Sequence, residues 1–323
     1  MVSRVLRDAP AVSQASREAV LGSAHALGYR PNAVARSLVQ RRTFNVGVLV
    51  SDLHNPFFAE VLDGLNQTAN KHGFRMLIST GNRDREAEAM ALDTLLELRV
   101  DAIVLAGTRI ALRIVEAAAG SIPLAMVGGA VPAPNVDLIA DDDVRGGELA
   151  VEHLADLGHS RIALIDGGEG SGAAERRSGY LSAMRRLDLA RHILVEPGEF
   201  TEEAGYLAAR RLLATSSPPT AIATGNDLAA VGALNAIEES GRRVPEDMSL
   251  VGYDDTFLAS LKQISLTTVH QPRRRIGELA MAAVLRRIQQ RDAPPQRQVL
   301  TPHLVRRRTT APPADARSGR TNA

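Results

Sequence analysis

Three groups of residues in this sequence have types and spacings that could do chemistry. Glycines alternate through residues 167–172, as in loops that hold phosphate, but the spacing is not G-x-G-x-x-G and Ala173 replaces a third glycine. Consecutive carboxylates at 141–143 could bind a cation, yet no further cluster of ligands accompanies them. His153 and His159 do not have the H-E-x-x-H spacing of a zinc site.

We interpret the glycine-rich segment as a flexible cleft loop and the acidic run as a turn with a helix cap before Val144. His159 is expected to stabilise the loop after Gly158. The chain has no cysteine, which excludes disulfides, thiolate metal sites and cysteine nucleophiles. No G-x-S-x-G motif and no Ser, His and Asp arrangement stands out. We therefore predict a protein that is not an enzyme and that needs no metal and no cofactor.

The elements that would position functional residues alternate between short apolar runs and helical patterns. Several of the runs are apolar throughout, as in parallel strands covered on both faces. Strands are predicted at residues 45–51, 74–80, 102–106, 124–127, 161–166, 221–224, 249–253 and 267–270. The alternation predicts an α/β protein with doubly wound parallel sheets. A length of 323 residues is too long for one ordinary core, so we expect two similar lobes.

Charge is distributed unevenly along the chain. The first 45 residues carry seven arginines against two carboxylates, a net charge of +5, and residues 291–323 carry the same balance. Residues 46–290 hold 24 basic and 33 acidic groups, a net charge of −9. A basic end on an acidic body indicates a polyanion-binding appendage, and we interpret residues 309–323 as a disordered tail. Because no signal peptide and no membrane-spanning stretch is recognisable, we expect a cytoplasmic protein.

Nine segments, in order along the chain, resemble the lactose-repressor (LacI/GalR-type) family of transcription regulators. Three of them resemble the family's helix-turn-helix headpiece: V-S-R-V-L at 2–6, V-S-x-x-S-R-x-x-V at 12–20 and L-G-Y-R-P-N-A-V-A-R-S-L at 27–38. The others are D-x-x-N-P-F-F at 52–58, V-E-H-L-x-x-L-G-H-x-R-I-A at 151–163, E-R-R-S-G-Y at 175–180, P-T-A-I-A-T-G-N-D at 219–227, S-L-V-G-Y-D-D at 249–255 and L-T-T-V-H-Q-P at 266–272. The resemblance implies a two-lobed body like that of periplasmic binding proteins, with a ligand between the lobes.

One departure from the family concerns the beginning of the headpiece. The family's headpiece starts about eighteen residues earlier, with a first helix and turn. Here Met1 falls inside what should be the recognition helix. Our hypothesis is that the true start lies upstream. We expect a protein that begins at Met1 to have a disordered headpiece and poor operator binding.

The resemblance implies roles for five residues near the N-terminus in binding double-stranded DNA. Ser3 and Arg4 would contact phosphates and base edges in the major groove. Asn32 would cap a short hinge helix, which forms only when two chains sit together on DNA. Leu38 would wedge into the minor groove and Arg36 would lie against phosphates. A homodimer with two-fold symmetry predicts a palindromic operator.

The domain boundaries follow from the same resemblance. A partial headpiece and a hinge precede the body, which binds ligand and dimerises. The ranges are 1–30 for the headpiece, 31–43 for the hinge helix and linker, 44–308 for the body, 44–141 plus 273–301 for its N-lobe, and 142–270 plus 302–308 for its C-lobe.

The ligand site implied by the resemblance lies beyond the C-terminal ends of the strands. Carboxylates, amides and an arginine fork suit hydroxyl pairs, and phenylalanine suits the apolar face of a ring, so we expect a sugar or sugar derivative. One of the two adjacent phenylalanines is expected in the core instead, and Asp227 and Asp255 could be helix caps. Many members carry an Asp-Arg pair after the strand at 124–127; Gly128 and Gly129 stand there, which argues against a common hexose or pentose. The expected ligand-binding residues are Asn55, Phe57, Phe58, Arg176, Phe200, Asn226, Asp254 and Gln271.

We therefore predict a DNA-binding transcriptional repressor whose operator affinity is controlled by a sugar-like effector bound between the lobes. The effector could either release the protein from DNA or favour its binding. The alternative is a ligand-binding protein of the same fold without DNA binding, either a truncated regulator or a solute-binding protein. A solute-binding protein would have a signal peptide and no basic hinge. A sugar-modifying enzyme would need an acid/base pair at the cleft, which the sequence does not reveal.

Overall fold

The computed structural model of the chain describes residue 5 and residues 13–28, 42–129 and 133–314. The chain divides into two compact units, Met1–Phe44 and Asn45–Ala323. In the first unit, helix α1 (Gln14–Ala26) begins at Ser13, whose hydroxyl accepts a hydrogen bond from the Ser16 amide at 3.3 Å. The residues expected to contact DNA lie outside the described residues. These are Ser3, Arg4, Asn32, Arg36 and Leu38.

The second unit alternates strands and helices, as the sequence predicts. A short 3-10 helix, Ala190–His192, precedes one of the strands. In chain order the elements are β1 (Asn45–Val50), α2 (Phe57–Lys71), β2 (Arg75–Thr80), α3 (Arg85–Glu97), β3 (Ala102–Ala106), α4 (Leu112–Ala119), β4 (Leu124–Val127), β5 (Val136–Asp141), α5 (Asp143–Asp156), β6 (Ile162–Ile165), α6 (Ala173–Arg186), β7 (Leu194–Glu196), α7 (Glu202–Leu213), β8 (Ala221–Thr224), α8 (Asp227–Glu239), β9 (Ser249–Asp254), α9 (Phe257–Ser260), β10 (Thr267–His270), α10 (Arg273–Gln289), β11 (Arg297–Leu300) and β12 (His303–Val305).

The strands form two sheets with corresponding strand orders, β11-β5-β4-β3-β1-β2 and β12-β10-β9-β8-β6-β7. The pairs in the first sheet are parallel, and in the second only the edge pair of β10 with β12 is antiparallel. Each sheet is covered by helices, so each lobe has its own buried core. The prediction of an α/β protein with two lobes of parallel sheet is confirmed.

The sequence patterns do not predict β5, β7, β11 and β12. Strand β5 is fully buried but contains Asp137, whose carboxylate accepts hydrogen bonds from Arg286, Arg287 and the Gln296 amide. This charged residue interrupts the apolar run, and its partners come from the distant helix α10 and the loop after it. The other three strands are short and only partly buried, so they lack a strong apolar signal.

Within the described residues the chain passes between the lobes three times, after β5, after β10 and after β11. Helix α10 returns to the first lobe and packs against α2 in close backbone contact. A Cβ atom added to Gly64 would lie 2.0 Å from the Arg274 carbonyl oxygen, and one added to Gly277 would lie 2.0 Å from the Val61 carbonyl oxygen. The crossovers place the C-terminal ends of both sheets on the same cleft.

The C-terminal segment remains hydrogen bonded to the second lobe beyond residue 308, where the sequence analysis predicts that the ordered body ends. Thr309 is buried, and its hydroxyl donates to the Leu250 carbonyl at 2.7 Å while accepting from the Thr267 amide at 2.9 Å. His159 lies 2.9 Å from the Ala311 carbonyl oxygen. The prediction of a disordered tail from residue 309 is therefore wrong for residues 309–311, because hydrogen bonds from β9, β10 and His159 hold them. Residues 315–323 lie outside the described residues.

Candidate functional site: the cleft between the two lobes

A cavity lies between the lobes of the second unit, with an empty volume of about 690 Å³ that includes space open to solvent. It is lined by loops and helix starts that follow strands of both sheets, where parallel strands of an α/β sheet present their C-terminal ends. Every ligand-binding residue expected from the sequence lies in its wall. These are Asn55, Phe57, Phe58, Arg176, Phe200, Asn226, Asp254 and Gln271.

Arg176 is the central cation of the cavity and is buried. Its Nε donates to Asp143 Oδ1 at 2.8 Å and its Nη1 donates to the Gly225 carbonyl at 2.6 Å. Nη1 also lies 3.7 Å from Asp254 Oδ1, and the guanidinium carbon is 3.8 Å from the ring centroid of Tyr253. The fork is thus held rigidly by opposite charge, a carbonyl and an aromatic face.

Asp254 ends β9 and is fixed by residues at the next crossover. Its Oδ1 accepts from Gln271 Nε2 at 2.6 Å, and its carbonyl accepts from Arg273. Arg273 also donates to Glu60 Oε1 of α2 at 2.8 Å, which links the Asp254 backbone to the first lobe. Burial raises the pKa of Asp254, and the charge of Arg176 opposes that rise. The Asp254 carboxylate and the Gln271 amide therefore form one oriented polar pair in the wall.

Asn226 both lines the cavity and caps helix α8. Its Oδ1 accepts from the Ala229 amide at 2.9 Å and its Nδ2 donates to the Phe200 carbonyl at 3.3 Å. Asp227 is not the cap, because its buried carboxylate accepts from Thr256 and Thr268. The cap at this strand end is therefore the amide, and the neighbouring carboxylate supports the loop before α9.

Asp255 is not a cap either. Its carboxylate lies 2.9 Å from His270 Nδ1 and accepts from Arg307 at 2.6 Å. This ion-paired cluster ties β9 to β10 and to the segment after β12. Asp255 is therefore a structural residue of the second lobe.

The aromatic walls come from both lobes. Phe57 and Phe58 start α2 with their rings 5.1 Å apart at 88°. Phe58 is buried and faces Gly107, where an added Cβ would lie 2.6 Å from the ring. The prediction that one of the two rings belongs to the core is confirmed for Phe58, which also contributes to the cavity wall. Phe57 is the more accessible ring.

The glycine-rich segment after β6 makes room for Phe200. A Cβ added to Gly167 would lie 2.1 Å from the Phe200 ring, one on Gly170 2.3 Å and one on Gly225 2.9 Å. Gly167 and Gly170 of this loop, and Gly225 after β8, therefore need to be glycine because the ring occupies the space that their side chains would take. Gly170 and the following Ser171 line the cavity.

Asp141 ends β5 and lines the cavity, and the sequence did not predict this role. Neither oxygen of its buried carboxyl has a hydrogen-bond partner within the part of the chain that the structure describes. Burial, and next the charge of Asp143, raise the pKa of Asp141 to about 8. Asp142 is the cap of α5, as predicted, because its Oδ1 accepts from the Arg145 amide at 3.0 Å. The interpretation of the run as only a turn and a cap is incomplete, because Asp141 and Asp143 face the cavity.

Arg83 and Arg109 follow β2 and β3 and line the first lobe's side of the cavity. Arg83 Nη1 is 3.9 Å and Arg109 Nη2 is 3.7 Å from Glu199 Oε2 of the second lobe. Arg83 Nε is 3.7 Å from Asp52 Oδ2. The sequence motifs miss both arginines. Applying the rule that ligands sit at strand ends to every strand would have pointed to them.

Two other kinds of site are absent from the described residues. Among the described residues, no three His, Cys, Asp or Glu side chains are placed to hold a metal ion. In those same residues, no helix combines the length and the apolar character that crossing a membrane requires.

Comparisons with known proteins agree with the geometry. Residues 151–310 match the family of periplasmic binding protein-like domains. The ribose operon repressor of Escherichia coli K12 is 36% identical over 310 residues, which cover 95% of this chain and 94% of that protein. A LacI transcriptional regulator from a Rhodococcus species is 36% identical, with a TM-score of 0.77 over 83% of this chain and 98% of that structure.

The lac repressor dimer bound to operator and the anti-inducer ONPF is 31% identical, with a TM-score of 0.85. This match covers 96% of the present chain and 94% of the repressor chain. The ribose operon repressor and the lac repressor therefore match almost the whole sequence. The resemblance inferred from the sequence motifs is confirmed: the chain belongs to the LacI family of transcriptional regulators.

Proposed function

We propose that this protein is a cytoplasmic transcriptional repressor that binds a palindromic operator as a homodimer. A small polyhydroxylated effector in the cleft controls its operator affinity. The observation that carries the effector part is that all eight residues expected from the sequence meet in one cavity at the C-terminal ends of both sheets. Support for the DNA part comes from the relatives, one a ribose operon repressor and one a repressor dimer bound to operator.

The cavity wall has the chemistry to hold hydroxyl groups and a ring. Arg176 offers a rigid donor fork, while Asp254 and Gln271 offer an acceptor and an amide. Phe57 and Phe200 supply apolar faces on opposite lobes. A ligand in contact with both lobes stabilises one relative arrangement of the lobes over others. Such differential affinity is what an effector needs to shift a two-state equilibrium.

The DNA-binding end of the proposal rests on the net charge of +5 in the first 45 residues and on the relatives. Neutralisation of phosphates by arginine releases counterions, so operator affinity should fall steeply with salt. We assign the phosphate and base contacts to Ser3, Arg4, Asn32, Arg36 and Leu38.

For the body we propose an N-lobe of 44–141 plus 273–301 and a C-lobe of 142–270 plus 302–308. The strands of the first sheet all lie within the first pair of ranges and those of the second sheet within the second pair. We also propose that the body dimerises. Ile78 on the edge strand β2, Met90 on α3 and Leu98 just after α3 are exposed apolar side chains of the first lobe, as a subunit interface requires.

The test of the function uses the full-length protein, its own genomic DNA and a panel of sugars. We expect selective binding of a palindromic fragment, lost as salt increases, and a sugar or sugar derivative that changes this affinity. Asp254→Asn should abolish the thermal shift caused by that compound, whereas Asp247→Asn, in an exposed ion pair with Arg243 outside the cavity wall, should not. Equal affinity for genomic and random DNA, with and without every compound, would overturn the proposal.

A further inference from the structure

The cleft end formed by Arg83, Arg109 and Glu199 has hydrogen-bonding capacity that the protein itself does not use. We infer that the effector is a sugar derivative that carries an anionic group, a carboxylate or a phosphate ester, which Arg83 and Arg109 bind. This inference rests on the proposed function, because it specifies the ligand class of the same cleft. It depends on three observations about these two arginines.

The first observation is their position around one carboxylate oxygen. Glu199 Oε2 lies 3.9 Å from Arg83 Nη1 and 3.7 Å from Arg109 Nη2, so it is inside ion-pair range of both but outside hydrogen-bond range. The Glu199 side chain is 47% exposed and can turn into water. A carboxylate already stands between the two guanidinium groups, yet neither donates to it. A ligand anion could take this place with shorter contacts.

The second observation is the lack of acceptors for buried donors. Across the described residues, Arg109 Nε and Arg83 Nη1 have no hydrogen-bond partner, although both atoms are hidden from solvent. The Arg109 side chain is only 10% exposed. An arginine cannot relieve the cost of an unmet donor by losing its charge. Carboxylate and phosphate groups present the paired oxygens that fit a guanidinium fork, whereas one hydroxyl satisfies a single donor.

The third observation is that the backbone of Arg109 is fixed by the buried side chain of Glu88. Its backbone amide donates to Glu88 Oε2 at 2.5 Å, and the other oxygen of Glu88 accepts from Ser51 Oγ at 3.0 Å. Glu88 has no exposed surface, and an added Cβ on Gly81 would lie 2.4 Å from its backbone nitrogen. Buried hydrogen bonds therefore fix the position of the loop that carries Arg109 in the first lobe.

The inner end of the cavity does not oppose an anion as strongly as its carboxylates suggest. Asp143 is paired with Arg176 at 2.8 Å. Because burial raises the pKa of Asp141 to about 8, its carboxyl is mostly neutral at pH 7. An effector could place its hydroxyl groups at this inner end and its anionic group between Arg83 and Arg109.

The experiment compares neutral sugars with matched anions by isothermal titration calorimetry. The probes are ribose, ribonate and ribose 5-phosphate, and glucose, gluconate and glucose 6-phosphate. We expect at least one anion to bind about tenfold more tightly than its neutral parent, since charge-assisted pairs are the stronger hydrogen bonds. The acid and phosphate arms distinguish the two possible anionic groups.

Variants test which residues cause the tighter binding of the anionic probes. Arg83→Gln and Arg109→Gln should each reduce the affinity for the anion by about tenfold and reduce the affinity for the neutral parent much less. Glu199→Gln removes the competing carboxylate and should raise anion affinity several-fold. The matched control is Arg85→Gln, because Arg85 pairs with Glu169 at 3.1 Å on the surface and does not line the cavity.

Three outcomes would overturn the inference. The first is that no anion exceeds its neutral parent. The second is that the arginine variants weaken neutral and anionic probes equally. The third is that Glu199→Gln lowers the affinity for every probe. This result would mean that Arg83, Arg109 and Glu199 only stabilise the contact between the lobes. Neutral sugars that bind and change operator affinity would leave the proposed function intact, whereas failure of every probe to bind would count against the proposed cleft as well.

Discussion

The two faces of the cleft differ in how completely their polar groups are paired. On the second lobe, Arg176, Asn226 and Asp254 all have partners within the protein. On the first lobe, Arg109 and Asp141 retain polar atoms without partners in the described residues. The second lobe is therefore organised before a ligand arrives, whereas the first lobe gains hydrogen bonds only when something fills the cleft.

The difference has a local structural cause. Asn226 caps a helix and Arg176 lies in the first turn of another, so regular secondary structure fixes both side chains. Arg83 and Arg109 lie in loops after strands, and Arg83 has a left-handed φ of 65°. Binding energy used to satisfy the loop groups favours arrangements in which the lobes are closed on the ligand.

The largest effect on stability should come from Arg176→Ala, which removes the central cation of the second lobe's face of the cleft. Asp143 would then be left buried without its partner, and loss of one member of a buried pair destabilises by about 3–5 kcal/mol. Urea unfolding measures this change. Arg274→Ala is the matched control, because the side chains of Arg274 and Asp63 are 54% and 61% exposed and their pair should contribute less than about 1 kcal/mol. Equal losses in both variants would remove the distinction between a buried framework and a surface pair.

The next effect is the pH dependence contributed by Asp141. Its pKa of about 8 in the folded protein exceeds the ordinary value of 3.8, so its favourable contribution is complete at low pH and is lost as the pH rises toward 8. Asp141→Asn should therefore match the parent most closely at pH 4 and below, and exceed it increasingly as the pH rises to 9, by a few kcal/mol in order of magnitude.

Unfolding curves across this pH range measure the difference between the two proteins. Asp227 also has a pKa raised by burial, but it titrates in both proteins and cancels in the comparison. Asp142→Asn is the control, because the amide still caps α5. Parallel curves for Asp141→Asn and the parent would show that the carboxyl is not held in an unpaired, buried state.

A smaller effect, an increase in the free energy of unfolding, is expected on the first lobe's face of the cleft. Arg109→Met keeps much of the side-chain volume and removes a donor without an acceptor, so the ligand-free protein should gain about 1 kcal/mol of stability. Thermal unfolding without ligand measures this gain. A loss of stability would indicate that Arg109 already contributes favourable interactions in the empty cleft.

The smallest effect should come from Arg85→Gln. This arginine of the first lobe pairs with Glu169 of the second lobe at 3.1 Å, and both side chains are more than half exposed. Solvent screening limits such a pair to less than about 1 kcal/mol, with less at high salt. Urea unfolding at low and high salt should barely distinguish the variant from the parent. A larger loss would mean that surface charge, and not the paired second lobe, holds the cleft together.

Most strands and the expected site residues could be predicted because their signals are local. Apolar runs such as those of β3 and β8 are unambiguous, and the residues after them must meet at one edge of a parallel sheet. Strand β5 escaped prediction because Asp137 interrupts it, and two arginines distant in sequence neutralise that carboxylate. Thr309 was expected in a tail because nothing next to it in sequence indicates that β9 and β10 bind it.

The sequence by itself determined the family, the two-lobed α/β architecture and eight of the residues that line the cleft, because motifs and apolar periodicity are properties of neighbouring residues. Only the tertiary structure decided which polar atoms in that cleft lack partners. Arg83 and Arg109 follow β2 and β3, whereas Asp141 ends β5, and the state of each depends on groups from distant parts of the chain. Hydrogen bonding, burial and the resulting pKa of a carboxyl are set by three-dimensional neighbours, which residue spacing alone does not specify.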